Sequence, residues 1–269
     1  MCRSQTAEVR VYGPLNDFLP IHQRQSTCVR SVSGTTTVKD LVEGLGIPHP
    51  EIDLIVVNGV PAAFDHVVRQ ADRIAVFPRF TTVDISTVTR VRPAPLDEIR
   101  FVADVHLGTL ARRLRLLGLD TVYRPDADDA DLAETAHREG RILLTRDRAL
   151  LKRRIVAHGY FIRATRPHDQ LVEVIRRFDP LVLDPFSRCI HCNTGLHEVS
   201  KESIDAALPP QTRQHYDRFN ACAGCGRIYW KGSHWKRLTH AIGAALDEAG
   251  VQFMHRSRPT RNHERGTNA

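Results

Sequence analysis

Hydrophobic and polar positions change period twice along the chain. From Ala7 to Tyr12 they alternate, which predicts a strand. Thr37-Val38-Lys39-Asp40-Leu41-Val42 opens a short helix that ends near Gly44 or Gly46. Asp53–Val57 is a β-rich run followed by Asn58-Gly59, and Asn-Gly between two apolar runs is a strong hairpin signal. Arg73–Phe77 supplies a last strand before Pro78. The order strand, strand, helix, strand, hairpin, strand predicts a β-grasp over residues 7–80. Residues 81–96, rich in Thr and Val and ending in Arg92-Pro93-Ala94-Pro95, read as a linker, because the prolines disfavour helix.

From Ile99 strands alternate with helices. Ile99–Ala103 is a strand; Leu107, Leu110, Ala111, Leu114 and Leu117 follow at helical spacing, with arginines opposite and Gly118 as a stop. Thr121–Tyr123, Ile142–Thr145 and Tyr160–Arg163 are further strands. Ala130–Glu139, Arg148–Ala157 and His168–Phe178 are helices. This repetition predicts a compact parallel sheet with helices on both faces, an α/β/α domain over residues 97–185. Leu238–Ala249 predicts one more helix, and the basic tail 255–269 is expected to be disordered.

Composition narrows the class. In 269 residues, 42% apolar and 26% charged side chains exclude global disorder, and no run approaches the length of a membrane helix. The first residues lack the apolar core of a signal peptide, so a cytoplasmic protein without membrane contact is expected. The net charge of +7 is uneven: residues 1–95 carry ten basic and nine acidic groups, 96–188 carry seventeen and fifteen, and 189–269 carry eleven and seven. A basic balance permits a polyanionic partner. The middle third is near neutral only because many acids offset many arginines.

Those acids fall in a pattern. Ligands of open parallel sheets bind beyond the carboxyl ends of the strands. Asp104 follows the first strand, Asp147 lies two residues past Thr145, and Asp126, Asp128, Asp129 and Asp131 follow Thr121–Tyr123. All lie on one edge of the predicted sheet. Gathered carboxylates repel unless they share a cation, and hard oxygen ligands favour Mg²⁺ or Mn²⁺. Such a centre can activate water and stabilise the charge that develops when a phosphodiester is cleaved. Each acid also precedes a helix, so N-capping explains any one of them alone; capping does not require several to coincide on one edge.

Six cysteines are grouped rather than scattered. Cys189-x-x-Cys192 and Cys222-x-x-Cys225, within a segment spanning 186–240, form the expected tetrahedral ligand set for a structural Zn²⁺, with no open position for chemistry. Gly224 and Gly226 suit a knuckle. Next come Arg227-Ile228-Tyr229-Trp230-Lys231-Gly232-Ser233-His234-Trp235-Lys236-Arg237, basic side chains interleaved with aromatics. Lys231, His234, Trp235, Lys236 and Arg237 are candidate RNA contacts through phosphates and stacked bases. Equally, Tyr229, Trp230 and Trp235 can pack a small zinc unit.

Residues 7–80 resemble the ubiquitin-like sulfur-carrier proteins through Val11-Tyr12-Gly13, Val38-Lys39-Asp40-Leu41 and Val56-Val57-Asn58-Gly59-Val60-Pro61. Those carriers use a free C-terminal Gly-Gly. Here Phe77-Pro78-Arg79-Phe80 runs on, so a docking or structural role toward a protein partner is expected instead. Phe101-Val102-Ala103-Asp104, the run Leu107–Gly118 and Leu143-Leu144-Thr145-Arg146-Asp147 resemble the PIN-like ribonucleases of the Mut-seven C-terminal type. Their bacterial members join a ubiquitin-like domain, the nuclease and a zinc-binding segment in this order. The Tyr229–Trp235 stretch is similar to that family's Tyr-Trp-x-Gly-Ser-His-Trp signature.

The resemblance implies a metal-dependent ribonuclease in which Asp104, Asp129 and Asp147 hold Mg²⁺ or Mn²⁺. Asp128 is a near-equal choice for the middle acid, and no residue matches the family's fourth acid. Arg112, Arg113 and Arg146 are candidate contacts to the RNA backbone, although a solvated helix face also explains the first two. The rival expectation is a non-catalytic RNA-binding or ribosome-associated protein.

Overall fold

Alternation in the first strand becomes alternation in burial: β1 (Gln5–Val11) buries Ala7, Val9 and Val11 and exposes Glu8 and Arg10. The structure is a computed structural model. It describes residues 5–80 and 82–251, with the side chains of His234 and Lys236 excepted; the expected tail 255–269 lies outside the described residues. β2 (Thr27–Val32) pairs antiparallel with β1. The helix α1 (Val38–Gly44) starts at a reciprocal cap, in which the Thr37 hydroxyl accepts the Asp40 amide at 3.1 Å and the Asp40 carboxylate accepts the Thr37 amide at 2.9 Å. β3 (Ile52–Val57) and β4 (Val60–Pro61) form the expected hairpin, with Asn58 and Gly59 both left-handed at φ 51° and 86°. β5 (Arg73–Pro78) lies parallel to β1 and antiparallel to β3, giving the order β2-β1-β5-β3-β4. This is a ubiquitin-like β-grasp, and its core packs Val9, Val11, Leu41, Val42, Ile55 and Ile74.

The segment read as a linker is strapped to that sheet. Buried Asp53 accepts the Phe80 amide at 2.9 Å and both arms of the Arg92 guanidinium at 2.8 and 2.6 Å. Burial pushes the Asp53 carboxyl up, but Arg92 and the Phe80 amide outweigh it and hold it below the usual range. Val91 joins the β-grasp core.

Next come β6 (Phe101–Ala103), α2 (Gly108–Leu116), β7 (Thr121–Tyr123), α3 (Asp129–Arg138), β8 (Ile142–Thr145), α4 (Arg148–Leu151) and β9 (Gly159–Phe161). The strands form a four-stranded, all-parallel sheet ordered β7-β6-β8-β9. β6 and β8 are buried at every residue, as parallel strands between layers must be. Leu132, Ala133 and Ala136 of α3 and Leu150 and Leu151 of α4 pack with Val102 and Leu143.

The helix expected to reach Ala157 stops at Leu151. Its first turn is fixed by the Asp147 cap and by buried Leu150 and Leu151, whereas Arg153, Arg154 and Ile155 face solvent. Beyond them, tertiary bonds override helix propensity: buried Val156 gives its carbonyl to His49 Nε2 at 2.9 Å.

That contact is part of a strut between the β-grasp and the parallel sheet, which belong to one compact unit (Met1–Ala111 with Asp120–Thr165). Glu51, 6% exposed, accepts the Phe161 amide at 2.7 Å and Arg163 at 3.1 Å. Arg148 donates to the Phe18 carbonyl at 3.1 Å and lies over the Phe18 and Phe161 rings. Lys152 donates to the Glu43 carbonyl at 2.6 Å.

The second unit (Arg112–Leu119 with Arg166–Ala269) contains the end of α2, then α5 (Pro167–Phe178), β10 (Leu196–Val199), α6 (Lys201–Ile204), α7 (Pro210–His215), β11 (Phe219–Cys222), β12 (Ile228–Trp230) and α8 (Ser233–Ala249). β10, β11 and β12 form an antiparallel sheet in that order. α8 starts five residues before the expected Leu238 and packs on α5. At Gly118, φ is 86° and an added Cβ would lie 2.2 Å from the Asp184 carbonyl oxygen, so only glycine fits. Among the described residues no helix is long and apolar enough to cross a membrane.

Candidate metal centres

β7, β6 and β8 lie side by side and parallel, so their carboxyl ends share one edge. Asp104 follows β6 and is 4% exposed. Its Oδ2 accepts the hydroxyl of fully buried Thr145, the last residue of β8, at 2.5 Å. The same hydroxyl oxygen accepts the Asp147 amide at 2.9 Å. One threonine therefore ties the two acids together across neighbouring strands. Asp147 uses Oδ1 to cap α4, accepting the Ala149 and Leu150 amides at 2.6 and 3.4 Å. Asp128 caps α3 by accepting the Asp131 amide at 2.8 Å. Asp129, the first residue of α3, is half-buried, and its carboxylate makes no hydrogen bond or ion pair among the described residues.

The capping role weighed for these acids is thus real for Asp147 and Asp128. Asp104 Oδ1 and Asp147 Oδ2 remain outside these bonds and are available as hard oxygen donors. That donor set fits a divalent cation by chemistry. By geometry the acids are not yet a cage: among the described residues, only the four cysteines gather closely enough to share an ion. Thr145 was not singled out in the sequence, although it stands inside the Leu-Thr-Arg-Asp run.

The predicted RNA contacts divide. On α2, Arg112 is exposed and Arg113 half-buried. Arg146 is exposed, but its Nη1 donates to the carbonyls of Ile162, Arg163 and Ala164 and so braces the chain after β9. Lys231 is exposed with its Nζ 5.2 Å over the Trp235 ring, and Trp235 in turn lies 5.0 Å from the Phe186 ring. Trp230 lies 6.5 Å from Phe219. Both tryptophans therefore pack within the second unit. Arg237 is exposed; the His234 and Lys236 side chains lie outside the described residues.

The cysteines converge as their spacing predicts. All four Sγ atoms lie within 4.8 Å of one another, with Cys192 and Cys222 at 3.2 Å and Cys189 and Cys225 at 3.6 Å, and none is in a disulfide. Tetrahedral ligands at about 2.3 Å from zinc stand roughly 3.8 Å apart, so the set fits that ion with small adjustments. Gly226 turns the second knuckle at φ 69°, its amide donating to the Cys222 carbonyl at 2.9 Å. At Gly224 an added Cβ would lie 2.5 Å from the Thr194 hydroxyl.

The thiols are unequal. Burial pushes Cys222 up to about 12, while hydrogen bonds with Thr194 outweigh burial at Cys192 and lower it to about 6. All four sulfurs could be anionic together at these distances only around a shared cation. Two residues that sequence reasoning missed support the cluster. Arg115, 3% exposed on α2, donates to the Ile190 and His191 carbonyls at 3.1 and 2.7 Å. The Tyr229 hydroxyl lies 3.0 Å from Cys189 Sγ. Arg115 borders the apolar stripe of α2, and only that position hinted at burial. Exposed His191 is held below its usual range by desolvation and by Arg227, Arg112 and Arg115.

Comparison with known proteins follows the same division. The profile described as Mut7-C RNAse domain matches residues 99–242, and that described as Mut7-C ubiquitin matches residues 4–84. The human exonuclease mut-7 homolog is 34% identical over 252 residues, an alignment covering 64% of this chain; the chain spans only 29% of that protein. Crystal structures of H. volcanii small archaeal modifier protein 1 and of SAMP1 from Haloferax volcanii are each 22% identical. They cover 28% and 29% of this chain and 99% of their own, each at a TM-score of 0.24.

Proposed function

The chain belongs to the Mut7-C RNAse domain family, and we propose that it is a metal-dependent ribonuclease of the PIN-like type that hydrolyses RNA phosphodiesters at the carboxylate edge. The observation that carries this reading is the Thr145 hydroxyl, which couples Asp104 and Asp147 across two strand ends within the matched segment. Asp104, Asp129 and Asp147 would hold Mg²⁺ or Mn²⁺. Asp128 is the weaker choice for the middle acid, because its side chain is committed to a cap. A divalent cation there supplies Lewis-acid polarisation of the phosphate and a water acidic enough to attack near neutral pH.

The chain's own contribution is positional. Thr145 engages one oxygen of Asp104 and leaves the other free, and the cap engages Asp147 Oδ1 and leaves Oδ2 free. Burial of Asp104 keeps competing water from that carboxylate. Arg112, Arg113, Arg146, Lys231, His234, Trp235, Lys236 and Arg237 would meet the RNA, and the cysteines would hold a structural Zn²⁺ that shapes the ribbon. The β-grasp would receive a protein partner on its outer sheet face. There a cavity of about 540 Å³ is lined by Glu8, Arg10, Tyr12, Thr27, Asn58 and Arg73, among others.

The test is incubation of single-stranded and structured RNAs with wild type and Asp104→Asn, with Mg²⁺, Mn²⁺ or EDTA. Metal-dependent cleavage lost in the variant is expected. Cleavage persisting in EDTA or in the variant refutes the site, and RNA binding without cleavage by wild type selects the non-catalytic alternative.

A further inference from the structure

The four sulfurs do not share one environment. Cys189 and Cys222 are buried, whereas Cys192 is exposed and Cys225 intermediate. Each sulfur meets a neighbour of its own: Cys192 the Thr194 hydroxyl at 3.5 Å, Cys222 the Cys225 amide at 3.5 Å, Cys225 the amide and side chain of Arg227 two residues on, and Cys189 the Tyr229 hydroxyl at 3.0 Å. The Tyr229 contact differs in origin. Thr194 and the Cys225 amide belong to the knuckles themselves, but Tyr229 comes from β12, whose pairing with β11 sets Tyr229 opposite Asn220. The strand that follows the second knuckle thus reaches back to the first ligand of the first knuckle.

We infer that Tyr229 is a positioning residue of the cysteine centre: its hydroxyl donates to the Cys189 sulfur and slows loss of zinc. The inference rests on the zinc reading above. A zinc-bound thiolate is an acceptor only, and a phenol carrying its proton is the matching donor. Four thiolates around Zn²⁺ leave two negative charges in excess, and each hydrogen bond from outside the ligand set draws part of that charge away. Such outer partners change metal affinity by roughly 10–100-fold when removed. Arg115 acts on the same knuckle through its backbone, fastening the carbonyls between Cys189 and Cys192. Arg115 holds the knuckle backbone for both of its cysteines, and the Tyr229 contact makes Cys189 the anchored ligand of the two. Cys192, exposed and with the Thr194 hydroxyl of its own knuckle as its neighbour, is where the metal is released.

The experiment compares wild type with Tyr229→Phe, which keeps the ring and its packing and removes only the hydroxyl. Zinc content is measured first, then the rate of zinc transfer to a chromogenic chelator. Close to one zinc per chain in both proteins, with release from Tyr229→Phe about tenfold faster or more, is expected. Zinc present but released at the wild-type rate overturns the inference alone. Wild-type protein without zinc overturns the metal reading, and the inference with it. Should Tyr229→Phe not fold, alkylation of the zinc-loaded wild type with iodoacetamide decides: peptide mapping should find Cys192 modified first and Cys189 last. Cys189 modified ahead of Cys192 refutes Cys189 as the anchored ligand.

Discussion

The two candidate ion centres differ in what the fold alone completes. At the cysteines, four sulfurs from two knuckles stand within 4.8 Å of one another, and each has a neighbouring hydroxyl, amide or guanidinium group beside it. At the sheet edge, Asp104 is locked by Thr145, Asp147 is turned partly into a cap, and Asp129 stands on α3 with no side-chain partner among the described residues. A closed shell whose ligands have no other task suits an ion that stays. Carboxylates with one oxygen engaged and one spare suit an ion that completes its shell with water and substrate. The difference is one of preorganisation, not of ligand number.

Metal removal should expose it most sharply. Structural zinc in small ribbons contributes on the order of 10 kcal/mol to folding, so a strong chelator or Cys222→Ser should unfold the ribbon, seen as lost circular dichroism and protease cleavage between 186 and 232. Brief EDTA treatment that leaves the zinc in place should abolish cleavage, and excess Mg²⁺ should restore it. Restoration by Mg²⁺ after zinc has gone would erase the proposed distinction.

Next in size, Asp104→Asn and Asp147→Asn should each reduce cleavage by several kcal/mol of transition-state stabilisation, roughly 10³-fold, with zinc content unchanged. Both should stay folded, because the asparagine carbonyl oxygen at 147 still accepts the amides that open α4. Below these lies the strut. Glu51→Ala leaves Arg163 and the Phe161 amide without their buried acceptor, and a loss of about 3 kcal/mol in urea denaturation is expected, with the ribbon's zinc unaffected. Smaller still, Asp128→Ala should cost about 1 kcal/mol of stability and little activity, and Asp129→Ala the reverse; the opposite outcome would exchange the middle acid.

The weakest effect is on pH. His49 is held below its ordinary value, first by burial and further by Lys39, against the opposing pull of Glu43 and the Val156 carbonyl. His158 is lowered likewise by burial, against the Ala94 backbone. A depressed histidine leaves the folded chain with fewer protons than the unfolded one. Stability should therefore hold above pH 6.5 and decline below it, each histidine contributing at most about 1.4 kcal/mol per pH unit. His49→Gln should flatten part of that slope in thermal melts at fixed ionic strength.

Much of this was legible in the sequence because it is local. The Asn58-Gly59 hairpin, the short helix opening at Thr37-Val38 and the Cys-x-x-Cys knuckles are each fixed by a few adjacent residues, and the structure realises all of them. The parallel sheet was legible from its alternation of strand and helix. What could not be read was tertiary. The expected helix to Ala157 ends at Leu151 because Val156 answers to His49, and the linker lies along the sheet because Arg92 finds Asp53. At the acid edge, sequence put the carboxylates on one rim but could not tell which oxygens were spent on caps or that Thr145 joined two of them. No periodicity reports a buried arginine such as Arg115 or a tyrosine beside a sulfur.

The Glu51 contact has a consequence for how such a chain can be rearranged. Its acceptor oxygens sit on the β-grasp, and the amide they satisfy is 110 residues downstream. A gene segment encoding only the first eighty residues is therefore not a free cassette. Moved elsewhere, it would lose both partners of Glu51, and the chain left behind would lose the acceptor of the Phe161 amide and one of the ion pairs of Arg163. Exchange between relatives should succeed when both halves of that contact travel together, so crossovers placed after β9 should yield more folded chimeras than crossovers placed in the strapped segment.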